Sequence, residues 1–298
     1  MKKSTLLKEM IGQRQALVCP GAHDAISAKL IEQAGFKALQ VSGFGLAATY
    51  LGLPDMGFIG FGEVLSLTRN IVAAVAIPVM ADADTGYGNS LTAMRVTEEL
   101  IKTGAAGMNI EDQVFPKRCG HLEGKQIVPL EEMALKVKAC SEVRNRLDAD
   151  FVINARTDAI AVAGLEEAIK RGNAYAAAGA DLIFVEAPEA AEQIEQIVSE
   201  ITAPVSLNLM DAVVGGKTPL VAIEKLREMR VARVSIPVGP LFASVRGMMN
   251  YLEVISGDQL AEGRTDLVAS FEEFKELVEF AKYRQLEKQY LPEFRPEE

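Results

Sequence analysis

The stretch KTGAAGMNIED, Lys102 to Asp112, packs the end of a helical pattern, a glycine, a short apolar run and an acidic pair into one phrase. Glycine is a common helix C-terminal signal. The apolar run after it is nearly continuous, as expected of a parallel strand buried on both faces. The same phrase recurs in sense as QAGFKALQV from Gln33 and AAGADLIFV from Ala177, each reading helix, glycine turn, buried strand. These are serial strand–helix units.

Working outward, further runs of this kind are ALVCPG from Ala16, IPVMADAD from Ile77, FVINART from Phe151, PVSLNLM from Pro204 and RVSIPV from Arg233. With ALQVSG from Ala38, GMNIED from Gly107 and LIFVEA from Leu182 they make eight. Between them DAISAKLIEQAG, SLTAMRVTEELIKTG and LEEAIKRGNAYAAAG show helical periodicity and end at glycine. Eight such units in one chain of 298 residues predict an α/β fold, a closed (β/α)8 TIM-type barrel. The alternative is an open doubly wound sheet, which no GxGxxG turn after the first strand supports. No linker divides the chain, so residues 1–298 are expected to form a single barrel domain. A C-terminal helical extension begins at about 240, with FASVRGMMNYLEVISG and the charged SFEEFKELVEFAKYRQLEKQYL as two further helical segments.

The formal charge is −10, which disfavours a nucleic-acid partner because affinity for the phosphate backbone comes largely from clustered Lys and Arg. The three cysteines Cys19, Cys119 and Cys140 have no CxxC spacing, which fits a reducing compartment and argues against a disulfide framework. The N-terminus lacks an apolar signal core, and no apolar run approaches the roughly 18 residues of a membrane span. A cytoplasmic protein with no membrane partner is the expectation.

In a barrel of this kind the active site lies where strands end and the following loops begin. Those ends are unusually polar: Ser42-Gly43-Phe44-Gly45, Asp82-Ala83-Asp84, Glu111-Asp112, Arg156-Thr157-Asp158, Glu186 and Asn208. Asp82 and Asp84, two apart in what reads as extended chain, should point to one side. With Glu111 on the neighbouring strand they form three carboxylates converging near one point. Such anions would repel, and a hard divalent cation resolves the conflict, Mg2+ being suited to oxygen ligands and retained water. The competing reading is that these acids cap helices or pair with Lys and Arg. Arg156 suits a substrate carboxylate, because its planar fork matches that group bidentately; the competing reading is an ion pair with Glu186 or an Asp. The Ser42–Gly45 turn offers backbone N–H groups for a second carboxylate, or is simply a tight turn. VVGGKTP, Val213 to Pro219, contains the G-K-T of a phosphate loop, but Asp211 stands where its first glycine belongs, so it reads as a loop before a helix starting at Pro219.

ADADTGYG, EDQVFPKRCGH, PDMG at Pro54, ARTDA at Ala155 and VEA at Val185 resemble the isocitrate lyase and phosphoenolpyruvate mutase superfamily, in order and spacing, over about residues 10 to 290. The K-R-C-G-H loop resembles its carbon–carbon lyase branch, the 2,3-dimethylmalate and 2-methylisocitrate lyases. The resemblance implies a homotetramer whose terminal helices are exchanged between subunits. It implies Mg2+, with Mn2+ as a substitute, at Asp82, Asp84 and Glu111, largely through water, with Asp55 nearby. It implies a di- or tricarboxylate substrate bound by Ser42, Gly43, Phe44 and Arg156, with Glu186, Asn208 and Gly120 also at the substrate. A lid bearing Lys117, Arg118, Cys119, Gly120 and His121 would close over it, with Cys119 as acid–base residue.

The implied reaction is retro-aldol cleavage of a 2-hydroxy acid to pyruvate and a second carboxylic acid. Alternatives in the same superfamily are a phosphonomutase of the carboxyphosphoenolpyruvate type and an oxaloacetate-cleaving enzyme. Two departures bear on substrate. Methylisocitrate lyases carry a threonine two positions after the strand-seven asparagine, where this chain has Met210, and a tyrosine two before the serine, where it has Gln40. Burying a carboxylate against apolar groups is costly, so Met210 favours a 2,3-dialkylmalate over methylisocitrate.

Overall fold

The structure, a computed structural model, describes residues 1–118, 124–211, 216–257 and 260–291. Eight parallel strands close into a barrel in sequence order. They are β1 (Leu17–Ala22), β2 (Leu39–Val41), β3 (Val79–Asp82), β4 (Gly107–Glu111), β5 (Val152–Thr157), β6 (Leu182–Val185), β7 (Val205–Asn208) and β8 (Arg233–Ile236). Closure is made by β1 against β8, with Leu17 opposite Arg233 and Cys19 opposite Ser235. Each strand lies within one of the eight apolar runs except β1, which extends one residue past its run to Ala22. Short β-branched stretches buried on both faces leave the chain little other use for them.

The helices between strands are set by local chemistry as well as by packing. Asp24 accepts from the Ser27 N–H and caps helix Ala25–Gln33, while Asn89 accepts from Leu91 and Thr92 and caps helix Ser90–Lys102. Each such cap contributes about 1 kcal/mol. Gly35, Gly104 and Gly179, which end the helical phrases, all have positive φ, as a left-handed helix terminus requires. Helix Lys3–Gly12 sends Leu7 and Ile11 into a cluster with Ala38, Ala106, Val152, Leu182 and Ala232, at or just before the starts of their strands. That cluster seals the N-terminal end of the barrel and leaves the strand C-termini as the accessible end.

The chain divides into two compact units, Met1–Leu241 and Phe242–Glu298. The first holds the whole barrel. The second carries most of helix Gly239–Ser256, then helices Phe271–Leu277 and Phe280–Tyr290. The last charged segment reads as one helix in the sequence, but Glu279 adopts a left-handed φ of 55° and breaks it in two. The helix expected to start at Pro219 starts instead at Ile223. Among the described residues no helix is long and apolar enough to cross a membrane.

Candidate active site

The strand ends assemble one cavity at the C-terminal mouth of the barrel, lined by Ser42, Gly43, Phe44, Asp55, Asp82, Asp84, Glu111, Lys117, Arg118, Arg156, Glu186 and Asn208. Every site residue expected from the sequence is there except Cys119, Gly120 and His121, which lie outside the described residues. The cavity encloses about 60 Å³, room for a few waters or a small polar ligand.

The acidic side differs from its sequence reading. β3 stops at Asp82, and Asp84 sits beyond it in a turn with φ of 44°, so the two side chains are not alternate positions of one extended strand. Asp82 instead accepts from the Asp84 N–H at 3.1 Å and the Gly43 N–H at 3.1 Å. Gly43 is required for that approach, because a Cβ there would lie 2.5 Å from Asp82 Oδ2. Asp84 accepts from the Tyr87 hydroxyl at 3.0 Å and pairs with Lys117 at 2.7 Å. Lys117 is buried and also pairs with Asp55 at 2.7 Å, so its ammonium joins two carboxylates expected near the metal. Burial would lower the Lys117 pKa, but Asp84, Asp55 and Glu111 outweigh it and hold the ammonium well above its ordinary range. Burial first, then repulsion from Asp84, pushes Asp82 up to about 6. Burial also raises Glu111 well above the ordinary carboxylate range, against the pull of Arg156.

Whether these groups suit a divalent cation can be tested on the donors. All are oxygens, and Glu111 Oε1 is buried with no hydrogen-bond partner. Yet among the described residues no three acidic, Cys or His side chains converge closely enough for direct ligation. The single point of convergence read from the sequence is therefore absent, because Asp82 is turned to backbone N–H groups, Asp84 to Lys117 and Glu111 to Arg156. The set fits a hard cation held chiefly through water, as Mg2+ prefers.

Arg156 is also more occupied than expected. Its Nε and NH2 grip Asp158 at 2.8 and 3.0 Å, NH1 meets Glu186 at 3.0 Å, and Nε lies 3.3 Å from Glu111. Asp158 takes the bidentate face anticipated for a substrate, and Glu186 takes NH1. Phe184 packs under the guanidinium, 5.1 Å from ring centroid to Cζ. Asp158 also receives Lys125 at 2.8 Å, both side chains being buried. These cations hold the Asp158 carboxyl well below its ordinary range despite burial.

The pair Glu111-Asp112 splits by strand alternation. Glu111 faces the cavity, whereas Asp112 points behind it and accepts from Thr157 Oγ1 (2.7 Å), the Asp158 N–H (3.0 Å), Arg171 (3.0 Å) and Tyr175 (2.8 Å). Asp158, Lys125 and Asp112 carried no role in the sequence reading; ARTDA contained Asp158, but nothing local announced its partners. Gln113 fixes the start of the expected lid by exchanging two 2.9 Å hydrogen bonds with the Arg118 backbone. Gln40 and Met210, singled out as departures, both line the cavity.

The phosphoenolpyruvate phosphomutase family model matches residues 7–256. The chain is 38% identical to a 2,3-dimethylmalate lyase of Eubacterium barkeri over 97% of this chain and 99% of that one. It is 36% identical to a 2-methylisocitrate lyase of Aeropyrum pernix over 93% of this chain and 88% of the other. Among solved structures, a phosphonopyruvate hydrolase in complex with oxalate and Mg2+ superposes with a TM-score of 0.86 at 30% identity, covering 98% of this chain and all of that one.

Proposed function

From the premise that this chain belongs to the phosphoenolpyruvate phosphomutase family and is a carbon–carbon lyase of the isocitrate lyase superfamily, we propose that it cleaves a 2-hydroxy dicarboxylate of the 2,3-dialkylmalate class to pyruvate and a second carboxylic acid. The observation that carries the reading is one small cavity lined both by the carboxylates of Asp82, Asp84 and Glu111 and by the guanidinium of Arg156. Met210, buried at the cavity wall, supports an alkyl-bearing diacid over a third carboxylate.

Asp82, Asp84 and Glu111, with Asp55, would hold Mg2+ or Mn2+ through water. When bound, the ion supplies Lewis-acid stabilisation of the substrate's hydroxyl and carboxylate oxygens. Ser42, Gly43, Phe44 and Arg156, which line the cavity, would hold and orient the two carboxylates, the Gly43 N–H exchanging Asp82 and Arg156 NH1 exchanging Glu186 for the ligand. With Glu186 and Asn208 they fix the C2–C3 bond for cleavage. The C2 hydroxyl gives its proton to a carboxylate of the cavity wall as the C2–C3 bond breaks, so that C2 becomes the ketone of pyruvate and the electron pair of the broken bond passes into the carboxyl on C3 as an enediolate. A proton delivered to C3 completes the second acid, and Cys119 is the proposed donor. Arg118, the residue before it, lines the cavity, which supports that position. Arg118 and His121, with Lys117, whose ammonium is shared with Asp55 and Asp84, are the loop cations proposed to poise a thiol for proton transfer. Gly120 and the rest of the lid exclude water from the enediolate. We also propose a homotetramer with exchanged terminal helices, in which exposed Met248, Met249, Leu252 and Phe271 of the C-terminal unit would be covered by a neighbouring subunit.

Purified protein with Mg2+ should release pyruvate from a panel of substituted malates, fastest from dialkylmalates, with methylisocitrate, isocitrate and oxaloacetate as comparisons. Cys119→Ser should lower turnover by about 100-fold or more while oxalate binding persists. No keto acid from any of these compounds, or a phosphonate signal in phosphorus NMR from a phosphoenolpyruvate analogue, overturns the reading.

A further inference from the structure

Arg233, the first residue of β8, is fully buried and makes no ion pair among the described residues. Its NH1 donates to Ser206 Oγ at 3.1 Å, its NH2 donates to Gln40 Oε1, and its Nε has no hydrogen-bond partner. A buried guanidinium is costly without an anion, and a hydroxyl, an amide oxygen and the neutral thiol of Cys19, which also meets it, are slender compensation. Folding stability alone would be better served by an apolar residue at this position.

The arrangement has a chemical consequence. A guanidinium has only donors, so the atom of Gln40 that faces it must be the amide oxygen. The amide nitrogen is thereby turned away from Arg233. Gln40 lies two positions before Ser42 on β2, on the same face, and both line the cavity. No protein acceptor among the described residues meets Gln40 Nε2, and that atom is not among the buried, unsatisfied ones, so it opens on the cavity. We propose that Gln40 is a specificity-determining residue whose Nε2–H donates to a carboxylate oxygen of the substrate, and that Arg233 is the positioning residue that fixes the amide and places a fixed positive charge behind it. The donor is pre-aligned by an immobile partner, so little orientation is lost on binding. An alkyl side chain or a phenylalanine at the Gln40 position could not supply this donor. The inference rests on the proposed cleavage of a dicarboxylate, but its test separates from that reading.

Oxalate binding in the presence of Mg2+, measured by calorimetry, is the primary readout, and KM and kcat for the best diacid are the second. Gln40→Met should weaken oxalate by about 10- to 100-fold, the loss of one hydrogen bond to a charged group. The KM for the diacid should rise in step, with kcat changed much less. Gln40→Glu keeps Arg233 paired and the fold intact but turns an acceptor to the ligand, so it should bind more weakly than Gln40→Met. Arg233→Met should reproduce the Gln40→Met loss and add little to it in the double variant, and Arg233→Lys should restore part of it. If Arg233→Met does not fold, the two Gln40 variants decide the matter. Folded Gln40→Met and Gln40→Glu proteins that bind oxalate as wild type does would overturn the inference, as would a wild type with no oxalate affinity. Lyase turnover with unchanged Gln40 variants sinks the inference alone. Oxalate affinity that falls as expected, in a protein that cleaves no diacid, sinks only the functional reading.

Discussion

Replacing Asp158 by Asn probes the charge cluster on which the site stands. Asp158 is fully buried and holds Arg156 through two hydrogen bonds of 2.8 and 3.0 Å and Lys125 through one of 2.8 Å. Removing one partner of a buried ion pair costs about 3–5 kcal/mol. The lower end applies here, because the Asn carbonyl still accepts one N–H and Arg156 keeps Glu186 at 3.0 Å. At about 2–4 °C per kcal/mol for a unit of this size, a loss of about 3 kcal/mol lowers the melting temperature by about 6–12 °C. The pH dependence has a fixed sign. The native carboxyl is held below its unfolded value of about 3.9, so its contribution is complete above that value and is lost as pH falls through the native one. Calorimetric melts of both proteins should therefore differ by a constant amount between about pH 5 and 8, and the gap should narrow below about pH 4. A shift under about 2 °C at pH 7, or a gap that widens on acidification, refutes the assignment of Asp158 as the anion that stabilises Arg156 and Lys125.

Gly21→Ala should abolish soluble expression or lower the melting temperature by more than about 6 °C, since the added Cβ would lie 2.1 Å from the Pro237 carbonyl oxygen and backbone must move; a melt unchanged from wild type refutes that closeness. Cys140 is buried and its thiol is pushed up to about 11, while Cys19 is buried and raised too, so neither should react with iodoacetamide in native protein at pH 7.5. Peptide mapping after alkylation should find both modified only after denaturation, and native labelling of Cys140 counts against its burial.

The strands and the polar strand ends were legible because their cause is local. A strand covered on both faces must be a short apolar run, and its C-terminal residues leave the core as the next loop begins. Asp82, Asp84, Glu111 and Arg156 were found in this way, and all reach one cavity. What each touches was not legible. The extended-chain argument for Asp82 and Asp84 failed because the strand ended one residue after Ala81, and an N–H to carboxylate turn replaced it. For Arg156 the sequence favours a ligand carboxylate over an ion pair with Glu186 or an Asp, and the structure shows the ion pair, with Asp158 on its fork and Glu186 on NH1.

By itself, then, the sequence determined the serial strand–helix units, the end of the barrel that carries chemistry and the residue types gathered there, since period, glycine stops and strand-end polarity are written residue by residue. Tertiary structure alone decided which charges meet. Barrel closure sets β8 beside β1, and through it Arg233 reaches Gln40 across 193 positions of chain. In the same way the packing of separate loops delivers Lys117 to Asp55 and Lys125 to Asp158. A buried charge takes the partner that closure brings within hydrogen-bonding distance, and no local pattern encodes that distance.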